Sequence, residues 1–329
     1  MLWFFLLFST GCWGIAEIFY KKGNVADEPY AHLKTTVFVG VFFGVYSLVI
    51  LLTQDVEIAY LPANFIRYLP VALCYIVSMV CSYYGVRYIE ESISDPIENT
   101  SCAFVPVLCA VFMHQHLNAK TVIAIVVVAI GILCIGFFDT EGKANRKKLF
   151  GKKLALVSIA MPFCYMILDA IGTFLDIYYT DDAATSVLVG VTEDNLEHTA
   201  NCCYEFTFLL IAVGILIYLK TKGVKLFSTA EDEALVAAGE PVPQKSLLQK
   251  IGGQRNKILA ALFETGGQAT YLFALSEGSG VAAVILGSGT VIISFILSRF
   301  LLKEKLTVLQ YVFIGIVFIG IISLSLLEA

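Results

Sequence analysis

The sequence predicts an all-α integral membrane protein with about ten transmembrane helices, arranged as two inverted five-helix repeats. Hydrophobic residues occupy 58% of the 329 positions and charged residues only 15%, and the mean hydropathy is +0.81. A soluble chain of this length would need a polar surface around roughly two domains. Apolar runs of helical length and a one-sided distribution of Lys and Arg complete the evidence for this fold class.

Ten apolar runs are each long enough to be a transmembrane helix. About 20 residues cross about 30 Å of hydrocarbon, and a helix satisfies its own backbone hydrogen bonds there. The expected spans are 2–20, 35–53, 68–88, 93–113, 119–138, 154–178, 203–220, 257–275, 280–301 and 306–327. Most connections are short, which excludes a separate soluble catalytic domain.

Two longer connections define the expected organisation. The loop at 179–202 is acidic and contains no Lys or Arg, whereas the linker at 221–256 contains Glu240-Pro241-Val242-Pro243 and is expected to be a flexible bridge. We expect a first five-helix repeat at 1–138 and a basic cytoplasmic linker at 139–153. A second repeat at 154–329 would then include the long cytoplasmic loop at 221–256.

The basic residues predict the orientation. Of the 22 Lys and Arg residues, 20 lie in or beside the connections after the first, third, fifth, seventh and ninth helices, and only Arg67 and Lys120 lie on the other side. Cytoplasmic loops are enriched in Lys and Arg, so both termini are expected outside the cell membrane. The net charge of -5 argues against a nucleic-acid partner, which would need a basic face.

The two halves end in similar segments. Leu117 begins a helix containing Ile130-Gly131, and Leu306 begins another containing Ile319-Gly320; both Leu306 and Gly320 follow their counterparts by 189 positions. Chance agreement between two apolar helices is the alternative. Because five helices is an odd number, two such halves lie in opposite senses in the membrane, as in secondary transporters with inverted repeats.

Three motifs point to a known family. They are Trp13-Gly14 followed by Lys21-Lys22, the polar hairpin Leu302-Lys303-Glu304-Lys305-Leu306-Thr307, and a final helix with glycines from Gly315 to Gly320. In these the chain resembles the drug/metabolite transporter superfamily, in particular its ten-helix EamA-like members. The resemblance implies a secondary transporter or exporter of small metabolites or drugs that works without ATP. Gln115, at the place of Glu304, and the outward termini depart from the family pattern.

Polar stripes inside three predicted helices supply most of the candidate site. An ionisable group in the hydrocarbon costs several kcal/mol unless it faces a cavity or a partner, and residues three or four apart share a helix face. The stripes are Trp13 and Glu17 in helix 1, Tyr165, Asp169 and Thr173 in helix 6, and Glu264, Gln268 and Tyr271 in helix 8. Each of three acids also has a purely structural alternative: a structural hydrogen bond for Asp169, pairing of Glu17 with Lys21, and pairing of Glu264 with Lys257 or Arg255.

Matching polar segments in the two halves supply the remaining candidates. Glu98 and Asn99 lie in a polar stretch after Pro96, and Ser288 beside Gly287 lies 189 positions after Asn99. Paired interruptions of this kind expose backbone groups to a substrate in transporters, although Pro96 also fits an ordinary first helical turn. Tyr75 in helix 3 is expected to line the same cavity.

Acids and aromatics without Lys or Arg near the midplane indicate a cationic or zwitterionic substrate. The expected function is therefore secondary active transport, with export favoured, of a small polar, zwitterionic or cationic metabolite or drug, with protons as a candidate coupling ion. An intramembrane enzyme and a non-transporting scaffold or sensor are the alternatives. No His-Glu-x-x-His motif or Cys/His metal spacing occurs, so neither a metal nor a cofactor is expected. The partners would be the substrate and the lipid bilayer, for a monomer or homodimer.

Overall fold

The structure, a computed structural model, describes residues 2–137, 140–303 and 307–328, with the backbone alone at 135–137, 140–152, 155, 275–281, 310, 321 and 324–328. All regular structure in these residues is helical. The twelve α-helices are α1 Leu2–Gly23, α2 Ala31–Thr53, α3 Leu61–Gly85, α4 Glu91–Asn99, α5 Ser101–Phe112, α6 Ala119–Phe137, α7 Thr140–Thr180, α8 Leu196–Thr221, α9 Ala230–Ala237, α10 Leu247–Gly253, α11 Arg255–Leu297 and α12 Val308–Glu328. A 3-10 turn at Ile58–Tyr60 precedes α3, and a π-helical turn at Ser298–Leu302 follows α11.

Six helical segments among the described residues are long and apolar enough to cross a membrane. They are Leu2–Gly23, Ala31–Thr53, Ile58–Gly85, Leu156–Thr180, Leu196–Thr221 and Ala282–Leu302, and two shorter apolar helices lie at Ala119–Cys134 and Tyr311–Gly320. The all-helical, membrane-spanning class is therefore confirmed. The count of ten spans stays a prediction.

Several predicted boundaries are wrong. The helix expected at 93–113 is two helices that meet at Thr100, flanked by Pro96 in α4 and Pro106 in α5. Proline has no N–H to donate to the preceding turn, which weakens the backbone ladder on both sides of Thr100. In addition, α3 begins at Leu61 rather than at 68, and α8 begins at Leu196 rather than at 203.

Helix α11 reverses direction within its length. A β-carbon at Gly267 would lie 2.5 Å from the Trp13 indole, and one at Gly14 would lie 2.5 Å from Ile293. Positions 267 and 293 would be about 39 Å apart in a straight helix at 1.5 Å per residue, yet they contact adjacent residues of α1. The parts of α11 on either side of the reversal correspond to the expected spans at 257–275 and 280–301.

The basic linker expected at 139–153 has helical backbone from 140 onward, continuous with the rest of α7. The side chains of Lys143, Arg146, Lys147, Lys148 and Lys152 lie outside the described residues, as does the middle of the family-like hairpin at 304–306. The division at 138 and 154 therefore stays a prediction.

Equivalent parts of the two halves contact each other in antiparallel fashion. A β-carbon at Gly131 in α6 would lie 2.6 Å from Val317 in α12, and one at Gly320 would lie 2.5 Å from Val128. Val317 follows Val128, and Gly320 follows Gly131, by the same 189 positions. The two contacts are thus the same pair taken twice with the partners exchanged, as a two-fold axis requires.

Backbone conformation repeats with this offset. Among the described residues, the non-glycine residues with positive φ are His114 at 56° and Lys303 at 59°, again 189 positions apart. Each follows a helix end, and a left-handed residue there is a common way for a helix to terminate. Helices α2 and α8 also pack antiparallel, like α6 and α12. Gly40 approaches Ala212, whereas Ser47, later in α2, donates from its Oγ to the carbonyl of Cys202, earlier in α8, at 3.4 Å.

The linker at 221–256 is not a flexible bridge, which corrects the prediction. It contains α9 and α10, each opened by a capping box at Thr229 and Ser246, respectively. Although burial acts to raise it, hydrogen bonds from Lys245 and Thr229 hold the pKa of the Asp232 carboxyl below its ordinary value. Local caps and an ion pair therefore order this segment internally.

Four charged side chains dock the linker on the bundle. Lys34 Nζ lies 2.7 Å from Glu28 Oε1 and 2.5 Å from Glu233 Oε1. Lys257 Nζ lies 2.7 Å from the other oxygen of Glu28. Because the two positive and two negative charges balance, the buried network carries no net charge, and it links α2, α9, α11 and the loop before α2.

Candidate substrate cavity

One cavity of about 90 Å³ lies between α1, α3, α4, α5, α7, α8 and α11. It is lined by Trp13, Glu17, Tyr20, Tyr75, Met79, Ser82, Tyr83, Asn99, Ser101, Cys102, Tyr165, Asp169, Thr173, Tyr204, Glu264, Gln268, Tyr271, Ala283, Leu286, Gly287 and Thr290. Ten of the twelve residues predicted from the sequence are among them, all except Glu98 and Ser288. The stripes on helices 1, 6 and 8 therefore meet at one place.

Three carboxylates face the cavity from three helices. Glu264 on α11 accepts a 2.9 Å hydrogen bond from the Tyr20 hydroxyl, and Asp169 on α7 accepts one of 2.6 Å from the Ser101 hydroxyl. Glu17 on α1 is the third. A buried carboxylate is stabilised by such donors or by a cation. Glu264 and Asp169 each have a second carboxylate oxygen that these two hydrogen bonds do not use.

Aromatic rings form much of the remaining wall. The Tyr75 and Tyr271 hydroxyls are 2.7 Å apart and within hydrogen-bond distance of Thr173 Oγ1, at 3.1 and 3.2 Å. The Trp13 indole packs on the Tyr271 ring with centroids 5.0 Å apart. The close approach of Gly267 to Trp13 sets this geometry, because any side chain at 267 would displace the indole.

A second aspartate on α7 lies beside the cavity without lining it. Asp176 is 1% exposed and accepts hydrogen bonds from the Tyr68 hydroxyl and, at 3.2 Å, from the Tyr75 hydroxyl. Asp169 and Asp176 therefore have separate partners, although they share a helix.

Glu98 and Ser288 lie outside the cavity lining. Glu98 is buried and accepts a 2.8 Å hydrogen bond from Ser94, while Ser288 donates to the Val284 carbonyl of its own helix. The expected interruption at 288–290 is absent, because α11 is continuous there. Gly287 serves close helix packing instead: a β-carbon there would lie 2.8 Å from Cys102.

An acidic cluster that the sequence reasoning did not assemble adjoins the cavity. Carboxylate oxygens of Glu17, Glu91 and Asp95 lie within 4.8 Å of one another. Asp95 also accepts hydrogen bonds from Ser294 and, at 2.6 Å, from Asn99. Like charges at this separation repel, so the cluster can hold protons or a cation. Its signal was the acidic start of α4, where Glu91 lies before the expected span.

The predicted alternative that Glu264 forms an ion pair with Lys257 is wrong. Lys257 pairs with Glu28 instead, and Glu264 accepts a hydrogen bond from Tyr20. Lys21 donates to the carbonyls of Val86 and Ile89 at 2.7 and 2.6 Å. Asp169 accepts a hydrogen bond from Ser101, as the structural alternative predicts, and it also lines the cavity. Among the residues whose side chains the structure describes, none that lines the cavity is Lys, Arg or His.

Comparison with known proteins adds the family context. The model of the EamA-like transporter family matches residues 1–137 and 183–326. No curated protein matches the chain. A solved structure described only as "Crystal structure of protein" aligns over 97% of this chain and 97% of its own, with a TM-score of 0.58 and 9% sequence identity. At that identity the similarity extends to the fold alone.

Proposed function

Because the chain belongs to the EamA-like transporter family, a family of transporters in the membrane, we propose that it is a secondary active transporter. Its substrate is a small polar, zwitterionic or cationic metabolite or drug, and it works as an exporter from the cell membrane. The observation that carries this proposal is the cavity wall, whose described residues combine three carboxylates with one Trp and six Tyr and include no basic residue.

The wall suits an organic cation for two physical reasons. Carboxylates attract an ammonium group strongly where water is excluded, and the faces of Trp and Tyr attract a cation within about 6 Å of the ring centre. An anion such as a sugar phosphate would find no positive partner among the lining residues and would be repelled by Glu17, Asp169 and Glu264.

Alternating access follows from the symmetry that we infer. Ten spans in two inverted halves would account for the exchanged contacts of α6 and α12, the antiparallel packing of α2 and α8, and the paired left-handed residues. In such a fold, one half rocks against the other around a central site.

An epitope tag at the C-terminus should bind its antibody on intact cells, since both termini are proposed to lie outside.

A catalytic role has less support than transport. Asp169 is bound by Ser101, and Asp176 by Tyr68 and Tyr75, so the two aspartates of α7 do not form the shared pair that an aspartyl protease uses. A scaffold that binds no solute would have no use for a polar cavity of this composition, and a sensor would bind a solute without carrying it across the membrane.

Substrate class can be tested on the purified protein. Thermal unfolding should be recorded with choline, a primary diamine, a zwitterionic amino acid and glucose 6-phosphate, since a ligand that binds the folded state alone raises stability. We expect stabilisation by the cationic or zwitterionic compounds and none by the phosphate ester. Stabilisation by the phosphate alone would contradict the proposal.

Transport is tested with Asp169→Asn in proteoliposomes. We expect this variant to lose pH-gradient-driven uptake of the stabilising compound while it remains folded in the membrane, because the cavity loses one of its three acids. Asp194→Asn, in an exposed loop, is the matched control and should transport like the wild type. Undiminished flux through Asp169→Asn would overturn the role of this residue.

A further inference from the structure

Glu205, in the first half of α8, is a buried acid that lies behind the cavity wall. Its side chain is fully buried, at 0% exposure, and neither carboxylate oxygen has a hydrogen-bond partner among the described residues. An ionised carboxylate in that position would be very costly, whereas a protonated one is tolerated far better. The packed arrangement around Glu205 therefore fits a neutral carboxylic acid.

Glu205 belongs to a polar stripe along α8. Asn201 lies four positions before it and His198 seven positions before it, which places all three on one helix face. Asn201 Nδ2 and His198 Nδ1 are also buried atoms without a hydrogen-bond partner among the described residues. His198 is half-buried in the first turn of α8, so the stripe runs about 10 Å from the helix end to Glu205.

Asn201 also connects the stripe to the cavity. Its Oδ1 accepts a 3.2 Å hydrogen bond from Gln268 Nε2, and Gln268 lines the cavity. A change at Glu205 that shifts Asn201 would therefore be felt at the cavity wall through one side chain of α11.

The surroundings of Glu205 offer no positive charge. The titratable groups within its electrostatic reach are Tyr46 from α2 and Cys202 and Tyr204 from α8 itself. On the facing part of α11, Gln268 and Ala269 are neutral, and the Tyr46 hydroxyl lies 3.5 Å from the Ala269 carbonyl. From α3, Tyr75 and Met79 meet Tyr204. No ion pair to Glu205 is formed among the described residues, and the imidazole of His198, on the same face, lies about 10 Å away along the helix.

We propose that Glu205 is a proton-binding site that couples transport to a proton gradient, with Asn201 and Gln268 as the link to the substrate cavity. This proposal rests on the proposed transporter function and adds the residue that binds the coupling proton. One proton binds the carboxylate to form the neutral acid when α2, α8 and α11 are packed together. When these helices separate and water enters, the same proton leaves to water, so protonation favours the packed conformation.

The protonation state can be measured without any substrate. Infrared spectra of the purified protein in lipid at neutral pH should contain a carboxylic-acid C=O component that is missing from the spectrum of Glu205→Gln, while any protonated acids elsewhere contribute to both spectra. Glu240→Gln, at an exposed position of the linker, is the control and should leave the band intact. A wild-type minus Glu205→Gln difference that shows a carboxylate band would overturn the proposal.

Coupling is measured in proteoliposomes with radiolabelled choline as the probe. Glu205→Gln should retain choline exchange between the two sides at equal pH, and lose at least tenfold of the accumulation driven by a pH gradient. Asp169→Asn, in contrast, should lose both activities. Gradient-driven accumulation by Glu205→Gln at the wild-type level would refute coupling at this residue.

The two proposals fail separately. If the wild type does not carry choline, the cationic-substrate part of the proposed function is contradicted, and the infrared experiment still decides whether Glu205 holds a proton. If the wild type carries choline and Glu205→Gln responds normally to the pH gradient, transport stands and the coupling site is wrong.

Discussion

Tyr20 fixes the position of Glu264 at the cavity wall. Its hydroxyl donates to Glu264 Oε2 at 2.9 Å and accepts from the Tyr83 hydroxyl at 2.9 Å, and its side chain is 2% exposed. Tyr20→Phe keeps the ring and removes both hydrogen bonds. We expect the free energy of unfolding to fall by about 1–3 kcal/mol, measured by unfolding with sodium dodecyl sulfate in mixed micelles.

A control for Tyr20→Phe is available on the protein surface. Tyr218→Phe removes a hydroxyl from an exposed side chain and should change the free energy of unfolding by less than about 0.5 kcal/mol. Equal effects of the two substitutions would show that the Tyr20 hydroxyl does not support Glu264.

Residue positions were predictable where polar side chains recur at helical spacing. Tyr165, Asp169 and Thr173 share a face by their spacing alone, and they line one cavity in the structure. Glu205 lies inside the expected span 203–220 without being among the predicted site residues, and a helix that begins at 203 leaves its stripe partners Asn201 and His198 in a loop. The polar stripe exists only once α8 is extended to Leu196, and the polar composition of 196–202 hides that extension from a hydropathy argument.

At the scale of helices, the antiparallel contact between α6 and α12 depends on two glycines. A β-carbon at Gly320 would lie 2.5 Å from Val128 Cγ2, whereas one at Gly315 in the same helix would meet nothing within 4 Å. Gly320→Ala should therefore separate the helices and lower the free energy of unfolding by about 1–3 kcal/mol. Thermal unfolding of the purified protein measures the effect.

Gly315→Ala is the matched control in the same helix. It adds a methyl group to open space, and alanine favours helix over glycine by roughly 0.5–1 kcal/mol, so its stability should equal or exceed that of the wild type. If Gly320→Ala were as stable as Gly315→Ala, the contact with Val128 would not be a tight one.

Helix ends and interruptions were less predictable than helix faces. The break at Thr100 follows from two prolines whose effect is local, and the polar stretch before it was visible in the sequence. At 288–290, in contrast, a similar set of small residues continues the helix, since Gly287 and Gly289 accommodate Cys102 and Thr10 of neighbouring helices. Glycine permits either a break or a close approach, and the neighbouring helix, which is distant in sequence, determines which one occurs.

For the whole molecule, the offset of 189 was read from the sequence, and the exchanged contacts of Gly131 and Gly320 give it a physical meaning. Gly131 contacts Val317, and Gly320 contacts Val128, which is the equivalent of Val317 in the first half. A chance similarity between two apolar helices would not produce this reciprocal pair of contacts. The docking of the linker was not predictable, because it depends on charges that are far apart in sequence. Lys34 and Glu233, which form one of these ion pairs, are 199 positions apart.

The ion-pair network of Lys34, Glu28, Glu233 and Lys257 therefore links the two halves at the end of the molecule proposed to be cytoplasmic. Lys34 is fully buried and bonds both Glu28 and Glu233, so Lys34→Met leaves two carboxylates with a single cation between them. Removing one partner of a buried pair costs about 3–5 kcal/mol, and we expect a loss toward the lower end because Lys257 still binds Glu28.

Thermal unfolding measures the loss of stability in Lys34→Met, and trypsin should cleave the linker at 221–256 faster in this variant than in the wild type. Lys220→Met, at an exposed position, should change neither; a linker equally protected in both variants would mean that local caps and the Asp232–Lys245 pair alone hold it in place.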